Sequence, residues 1–518
     1  MLSGRREAPA RRSRALEAGV ALLVLAAYLF FAWSDELADF GGDNAVYWLT
    51  ANHYSPFGAE HPLAARYAAG SKYPPLYAWI LAVTGGGTNL LIAHLVSAVL
   101  LWSGCLAACA FYREIGVSRG ASLALALVVA LLPSVRYGAI ELQSEDLFLP
   151  VTLATLALTA RLARRQDERL LLPLALLLPA AVLTRTAGIA LIAAYGLWAL
   201  SSRRPLRLLP LAVAGLAWYA NSRLQDSTGQ YTGELVAGYV HDGVLARFLS
   251  QWSYLPAEWS RALGGPITTW GPVIVLSLLG LLLVAAAVRR AWQRTADGYY
   301  AVLYLLILVL WPFPAEMQRL ASMIVPVLLG QGCLLVTRGR PTPRRVSLGF
   351  AVVSLPILAF ALPDAAKFVG RLLVPVPEDV RPYVRTGAWQ HSDPADALSA
   401  VGLRLAAARA FADVERLVPA EDCVYAIKPS VISLYSRRRS EVPPRAADAA
   451  AFDAAARASG CRYFLMMDLS SPSYPEPLFP LRLMQDRLAV LALEPHPYRT
   501  DQRPIFVLAT WKDGAAGP

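Results

Sequence analysis

Long apolar runs separated by short arginine-rich segments constrain this chain more than any other feature of its sequence. They predict an α-helical polytopic membrane protein with about eleven spans, several of them short of the ~20 residues that a full crossing needs. A composition of 56% hydrophobic and 16% charged residues excludes an ordinary soluble globular protein. The runs lie near residues 20–33, 89–112, 121–135, 147–160, 170–184, 187–200, 206–220, 267–288, 299–311, 320–336 and 346–362.

Arginine clusters between the runs predict the orientation of the spans. Every cluster falls on the side that it shares with the N-terminus, as the positive-inside rule requires. We therefore expect a cytoplasmic N-terminus and, after an odd number of spans, an extracytoplasmic C-terminal part. The clusters are Arg113 and Arg119; Arg161, Arg164, Arg165 and Arg169; Arg203, Arg204 and Arg207; Arg289, Arg290 and Arg294; and Arg338, Arg340, Arg344 and Arg345.

The formal net charge of +11 does not indicate a nucleic-acid partner, because the basic residues form short clusters and no extended basic face. The expected partner of this charge is the cytoplasmic lipid surface. No convincing small-residue cleavage site follows the first run, which we interpret as an uncleaved span. The excess of arginine over lysine and the abundance of alanine are typical of a GC-rich bacterial genome. The expected location is the plasma (inner) membrane.

An acidic segment, residues 34–48, follows the first span and supplies the candidate catalytic base, Asp43. Two glycines precede Asp43 and let the backbone turn sharply, and the aromatic residues Tyr47 and Trp48 are suited to the membrane–water interface. A carboxylate at a bilayer surface is well placed to take a proton from an acceptor hydroxyl. The alternative is a solvated loop that holds all four carboxylates of the segment: Asp35, Glu36, Asp39 and Asp43.

Cations on the translocated side run against the topological bias, so we expect them to bind an anionic group, above all a phosphate. Lys72 and Tyr73 precede two prolines and a short apolar stretch. Because proline is tolerated in the first helical turn, a helix too short to cross the membrane should begin near Pro75. A lysine before a helix N-terminus can bind phosphate; the alternative is a Pro-Pro turn with a lysine that reaches the headgroups. The outer cations are Lys72, Arg136, Arg185 and Arg319.

Two acidic residues, Glu145 and Asp146, begin a span on the same predicted face as Asp43. Carboxylates beside a buried span are costly unless they are paired or functional. We therefore take both as catalytic candidates, with helix capping by Ser144 as the alternative.

Arg185 lies between two apolar stretches that must turn back with almost no loop, and it has no acidic neighbour in sequence. It should find a partner elsewhere, either an external carboxylate or a ligand phosphate; the alternative is a side chain that snorkels to the headgroups. For Arg319 the sequence favours a local pair with Glu316, three residues earlier.

Hydropathy drops after residue 362, which predicts a soluble extracytoplasmic α/β domain over residues 363–518. Short apolar runs at 424–427, 463–467 and 505–510 predict strands, and alanine-rich stretches near 395–416 and 446–459 predict helices. Cys423 and Cys461 each stand just before a predicted strand. An external compartment permits a disulfide between them, and we predict one.

The order of these segments resembles the GT-C superfamily of integral membrane glycosyltransferases. Within it, the chain is similar to the bacterial branch of protein O-mannosyltransferases and the lipid A aminoarabinose transferase. The motifs are GGDNAVYW, KYPPLYAWIL, QSEDLF and LTRTAG, each separated by a span or two. The similarity covers roughly residues 20–221, which predicts a shared catalytic module at 18–221 and variable spans at 222–362 within a membrane domain of residues 1–362.

The resemblance implies roles for individual residues. Asp43 matches the general base, Glu145 and Asp146 match the second acidic motif, and Lys72 and Arg185 match the basic residues near the lipid phosphate. Tyr73 beside Lys72 and the later Arg319 complete the candidate substrate-binding set: Lys72, Tyr73, Arg185 and Arg319. Arg319 matches only in part, because Leu320 follows it.

The implied reaction is an inverting transfer of a sugar from a polyprenyl-phosphate donor to a hydroxyl of a glycan, lipid or protein on the outer face. Some relatives use a divalent metal, so a divalent metal stays an open alternative; the spacing of His53, His61 and His94 predicts no metal site, and no certain cofactor is predicted. His94 should lie inside a span. Two alternatives stay open: a transporter or flippase of a lipid-linked saccharide, and a catalytically inactive scaffold of the same fold. No internal repeat favours the transporter.

Overall fold

The structure is a computed structural model. It describes residues 7–33, 42–139, 141–224, 236, 243–265, 269–311, 317–337, 342–372, 394–444, 448–469, 474, 476–498 and 503–512.

The chain divides into two compact units. One comprises Met1–Trp33, Gly70–Ile80 and Ala93–Ala366, and the other comprises Ser34–Ala69, Leu81–Ile92 and Lys367–Pro518. The segment that carries Asp43 therefore belongs to the same unit as the C-terminal domain. In the sequence, the same segment lies within the predicted membrane domain of residues 1–362.

Most of the chain up to residue 372 is helical. In chain order the helices are α1 Glu7–Phe31, α2 Asp43–Tyr54, α3 Ala64–Ala69, α4 Leu76–Val83, α5 Leu90–Ile115, α6 Arg119–Leu131, α7 Pro133–Gly138, α8 Glu145–Arg165, α9 Leu171–Thr184, α10 Ile189–Ser201, α11 Leu209–Leu224, α12 Val244–Ala262, α13 Trp270–Trp292, α14 Ala296–Leu310, α15 Met317–Thr337 and α16 Pro343–Leu372.

Five of these helices are long and apolar enough to cross a membrane by length and composition: α5, α8, α13, α15 and α16. Four shorter apolar helices lie at Ala15–Phe31, Arg119–Leu131, Thr186–Ser201 and Ala296–Leu310. The protein is thus a multi-pass membrane protein, as its composition predicts. The count of about eleven spans and the orientation of the termini stay predictions.

Arginines at the predicted cytoplasmic helix ends pair with carboxylates from other helix ends. Glu17 of α1 binds Arg113 at 2.8 Å and also Arg119. Asp297 at the start of α14 binds Arg290 at 2.7 Å. These pairs join neighbouring helices, although each exposed pair contributes little to stability. The remaining pairs are Arg164 with Glu114, and Arg204 and Arg207 with Glu168.

The C-terminal residues form the predicted α/β domain. Its helices are α17 Pro394–Leu417, α18 Pro429–Ser436, α19 Ala449–Ala458 and α20 Leu481–Met484, and its strands are β1 Cys423–Tyr425, β2 Arg439–Glu441, β3 Tyr463–Met467, β4 Leu488–Pro495 and β5 Pro504–Trp511. The sheet order is β2-β1-β3-β5-β4, with β1 parallel to β2 and β3, and β5 antiparallel to β3 and β4. The three predicted strands are confirmed as β1, β3 and β5. Sequence reasoning missed β2, a polar strand of three residues, and β4.

Cys423 and Cys461 form a disulfide, with their Cα atoms 4.7 Å apart, which confirms the predicted pair. Both side chains are buried in the core of the α/β domain beside Phe464 and Trp511. The bond ties the start of β1 to the chain that enters β3. The other cysteines of the chain, Cys105, Cys109 and Cys333, are free and buried.

Thiol titration checks this pairing. Denatured, unreduced protein should expose three thiols, those of the free cysteines, and reduction should raise the number to five. Replacing both paired cysteines by serine should destabilise the α/β domain by ~4 kcal/mol, because the crosslink then no longer restricts the unfolded chain. Cys333→Ser is the control for a buried free cysteine. Equal thiol numbers before and after reduction would contradict the pairing.

Candidate active site

A carboxylate shared by two arginines forms the centre of the candidate site in the helical unit. Glu145, the first residue of α8, places Oε2 2.6 Å from Nη1 of Arg185 and Oε1 2.5 Å from Nε of Arg319. The Glu145 side chain is 4% exposed, and that of Arg185 is 9% exposed. One carboxylate thus pairs with two guanidinium groups at once.

Arg185 owes its position to a tight helix-to-helix turn. It follows the last residue of α9 in an extended conformation, and a single turn of 3-10 helix, Thr186–Gly188, leads directly into α10. This geometry confirms the expected absence of a loop. Of the alternatives for Arg185, the structure supports the external carboxylate, because Glu145 is its partner and the side chain is buried.

Ser144 binds the charged groups and does not cap α8 through its side chain. Its backbone has φ −63° and ψ −17°, and its hydroxyl makes no capping hydrogen bond. Instead, Ser144 Oγ accepts a hydrogen bond from Arg185 Nη1 at 3.1 Å and donates one to Glu145 Oε2 at 3.3 Å. The alternative in which the Ser144 side chain caps α8 is therefore wrong.

Arg319, in the first turn of α15, has a distant partner in Glu145. The local pair with Glu316 falls on a residue outside the described part of the chain. The long-range pair joins the start of α15 to the start of α8, which no sequence spacing indicates.

Asp146 is buried and held by hydroxyl and backbone donors. Tyr77 of α4 donates to Asp146 Oδ2 at 3.4 Å, and the Tyr77 and Ser97 hydroxyls lie 2.7 Å apart. The backbone N–H of Gln143 also reaches Asp146 Oδ2 at 3.4 Å. A Cβ at Gly138 would lie 2.7 Å from Asp146 Oδ1, so only glycine fits beside this carboxylate without a shift.

Tyr77 and Ser97 are site residues that sequence reasoning missed. Tyr77 lies within the KYPPLYAWIL motif, but an aromatic residue in an apolar helix is more often part of the core. The available signal was its hydroxyl, because a buried tyrosine usually needs a hydrogen-bond partner. Ser97 in α5 gives no such signal.

Lys72 and Tyr73 lie in the non-helical segment just before α4, which begins at Leu76 and so confirms the short helix predicted near Pro75. Both side chains are half-buried, and Lys72 Nζ lies 5.7 Å from the centre of the Tyr73 ring. Through Tyr77 in the first turn of α4, this segment is connected to Asp146.

Asp43 is the first residue of α2 and is half-buried. Gly42 before it has φ +98°, a left-handed conformation that favours glycine, so the sharp turn predicted here is confirmed for Gly42; the preceding glycine lies outside the described residues. Tyr47 is 4% exposed, so it packs inside the protein and the interfacial role expected for it is wrong. Asp43 belongs to the unit of the C-terminal domain, and its predicted location on the same face of the membrane as Glu145 and Asp146 stays a prediction.

Among the described residues, no group of three or more histidine, cysteine, aspartate or glutamate side chains could hold a metal ion. His53 pairs with Glu60 at 2.7 Å, and His94 is fully buried in α5, as expected for a residue inside a span.

Solved structures of three proteins have a similar fold. ArnT from Cupriavidus metallidurans in the apo state is 14% identical with a TM-score of 0.51, over 98% of this chain and 100% of that chain. The same protein bound to undecaprenyl phosphate gives 14% identity and a TM-score of 0.49, over 97% and 99%. The arabinofuranosyltransferase AftD from Mycobacteria is 17% identical with a TM-score of 0.48, over 97% of this chain and 40% of that chain.

The Archaeoglobus fulgidus oligosaccharyltransferase, solved as a complex with Zn and sulfate, is 12% identical with a TM-score of 0.47, over 85% and 67%. The chain spans two fifths of the length of AftD. No protein-family model and no curated protein sequence matches the chain.

A double-mutant cycle tests the shared carboxylate. Glu145→Gln should lower the melting temperature in detergent markedly, because breaking a buried pair typically costs ~3–5 kcal/mol when charges are left behind. Arg185→Gln alone should also destabilise. The double variant should lose less than the sum of the two, since it removes both charges. Glu141→Gln is the comparison variant on the same segment; its carboxylate accepts a hydrogen bond from the neutral amide of Gln143. Strict additivity would contradict the pair.

Proposed function

We propose, on the premise of the GT-C fold, that this chain is a membrane glycosyltransferase that moves a sugar from a polyprenyl-phosphate donor to an acceptor hydroxyl on the outer face of the membrane. The observation that carries the proposal is the pair of guanidinium groups on Glu145. Guanidinium groups bind phosphates as well as carboxylates, so a cluster of two arginines is suited to an anionic ligand. The phosphate group of a membrane lipid is an anion that a site embedded in the membrane can bind.

In the proposed reaction, Asp43 accepts the proton of the acceptor hydroxyl. The acceptor oxygen then attacks the anomeric carbon from the face opposite the phosphate, the bond from that carbon to the phosphate oxygen breaks, and the configuration inverts. Polyprenyl phosphate leaves with the electron pair. Lys72, Arg185 and Arg319 stabilise the charge that develops on the phosphate as the bond breaks.

Each remaining candidate residue has a distinct task in this scheme. Glu145 orients both arginines, since it forms an ion pair with each of them. Asp146 fixes the segment that carries Lys72, because Tyr77 donates to it from the start of α4. Tyr73 lies beside the Lys72 ammonium group and limits its freedom. The residues present form no metal-binding group in the described part of the chain, and no step of the scheme requires a metal.

The scheme does not define the sugar or the acceptor. Undecaprenyl phosphate is the lipid bound in the ArnT complex described above, so it is the first donor lipid to assay. Radiolabelled hexosyl and pentosyl undecaprenyl phosphates, offered with membranes from cells that lack the gene, would distinguish the donor classes and supply the native acceptor. Transfer of label also separates the enzyme from a flippase or an inactive scaffold, neither of which moves label to a new molecule.

Asp43→Asn is the central test. The substitution keeps the size of the side chain but removes the base, so the transfer rate in proteoliposomes should fall by ~10²–10⁴-fold. Asp39→Asn, four residues earlier in the same acidic segment, is the matched control and should retain the rate. Binding of the donor lipid should persist in both variants. A wild-type rate for Asp43→Asn would remove Asp43 as the base.

A further inference from the structure

Helix α18 of the C-terminal domain contacts the residue immediately before Asp43. Ser430 Oγ donates a hydrogen bond to the carbonyl oxygen of Gly42 at 3.0 Å. Ser430 is 6% exposed and Gly42 is buried, so solvent does not compete strongly for this bond. A Cβ at Gly42 would lie 3.0 Å from Ser430 Oγ, which shows how closely the two segments approach.

This hydrogen bond acts on the peptide unit that leads into Asp43. The carbonyl of Gly42 and the N–H of Asp43 belong to one planar group, so a donor that holds the carbonyl also fixes the direction in which the chain enters Asp43. The same oxygen accepts from Val46 N at 3.1 Å, the first hydrogen bond of α2. Ser430 therefore binds at the point where the backbone orientation of Asp43 is set.

Three further contacts join the same two segments. Tyr67 donates to Ser433 Oγ at 3.0 Å, and Arg66 pairs with Glu441 at 3.0 Å. His61 Nε2 donates to the carbonyl of Leu434 at 3.1 Å. The link between the C-terminal domain and the Asp43 segment is thus distributed along the chain from residue 42 to residue 67.

His61 stabilises this link in its neutral form. While Nε2 donates to Leu434 O, Nδ1 accepts from the backbone N–H of Leu63 at 3.2 Å. Burial lowers the pKa of His61, and the nearby Arg437 acts in the same direction, although the bond to Leu434 opposes them. The neutral ring satisfies both contacts at neutral pH.

The far end of α2 is anchored independently. Asn52 donates to Gly87 O at 2.9 Å and accepts from the backbone N–H of His61 at 2.6 Å. With this end held by its own neighbours, Ser430 acts on the other end of α2, at the residue next to Asp43. Its loss should alter the orientation of Asp43 more than the overall position of α2.

We propose that Ser430 is a positioning residue for Asp43, and that the C-terminal α/β domain thereby controls the proton-accepting step from within its own unit. This inference rests on the proposed function, because it takes Asp43 as the base. It assigns the α/β domain a direct role in the rate of transfer.

Ser430→Ala in the full-length protein, reconstituted in proteoliposomes with the undecaprenyl-phosphate sugar that the wild type turns over, tests the proposal. The kcat should fall by ~10-fold, as expected for one lost hydrogen bond and a misplaced base, and the KM for donor should not change. Ser430→Thr keeps a hydroxyl and should recover most of the rate. An unchanged kcat, or an equal effect on KM and kcat, would overturn the inference.

Ser436→Ala is the matched control. Ser436 is a buried serine on the same helix, and its hydroxyl bonds stay within the C-terminal domain, to Ile432 O at 2.7 Å and from Arg438 N at 3.3 Å. It should retain the wild-type kcat. If Ser430→Ala does not fold, Ser430→Cys and Ser436→Cys replace the pair, because cysteine keeps the volume but donates weakly. A rate for Ser430→Cys equal to that of Ser436→Cys would then overturn the inference.

The Asp43→Asn background separates a failed inference from a failed function. If Ser430 acts through Asp43, then Ser430→Ala should lower the residual rate of Asp43→Asn no further. A further ~10-fold loss in that background would overturn the positioning role while leaving Asp43 as the base. A wild-type rate for Asp43→Asn alone would remove Asp43 as the base and with it the premise of the inference, whereas a wild-type protein that transfers no label would refute the proposed function.

Discussion

The carboxylate of Glu145 between two guanidinium groups is the interaction on which the site in the helical unit depends. It joins the starts of α8 and α15 to the turn after α9, three points that are far apart in the chain. A buried carboxylate is stable only with compensating charge and hydrogen bonds. Here Arg185 and Arg319 supply the charge, and Ser144 donates a hydrogen bond to the carboxylate. The arrangement keeps two cations in place, which the proposed function uses for preorganised binding of a phosphate.

Asp146, the buried aspartate next to Glu145, connects the first turn of α8 to α4. Tyr77 connects Asp146 to the segment that carries Lys72, and Ser97 connects it to α5. The two adjacent acidic residues therefore contact different parts of the site. Glu145 pairs with the arginines, and Asp146 is connected through Tyr77 to the segment that carries Lys72. Their positions in the first turn of α8 make this possible, because successive side chains on a helix point about 100° apart.

The second unit shows why the C-terminal domain and the Asp43 segment belong together. Hydrogen bonds from α18 reach the chain from Gly42 to Tyr67. Sequence reasoning separated these regions, because hydropathy assigns the loop to the membrane domain and residues beyond 362 to a soluble domain. The contacts come from serine hydroxyls, a histidine ring and a backbone carbonyl. Such groups have no periodicity or spacing that would reveal a partner nearly 400 residues away.

Apolar runs, arginine clusters, three of the strands and the disulfide were all predictable from the linear chain, because hydropathy, side-chain alternation and cysteine position are local properties. The acidic, lysine and arginine motifs were recognisable in the same way. Only the folded chain shows that Arg185 and Arg319 meet on Glu145, that Ser144 binds charge in place of capping, and that Tyr77 and Ser430 belong beside the candidate residues. Ion pairs and hydrogen bonds act over a few ångströms, so which groups meet depends on how distant helices pack, and that information is not local in sequence.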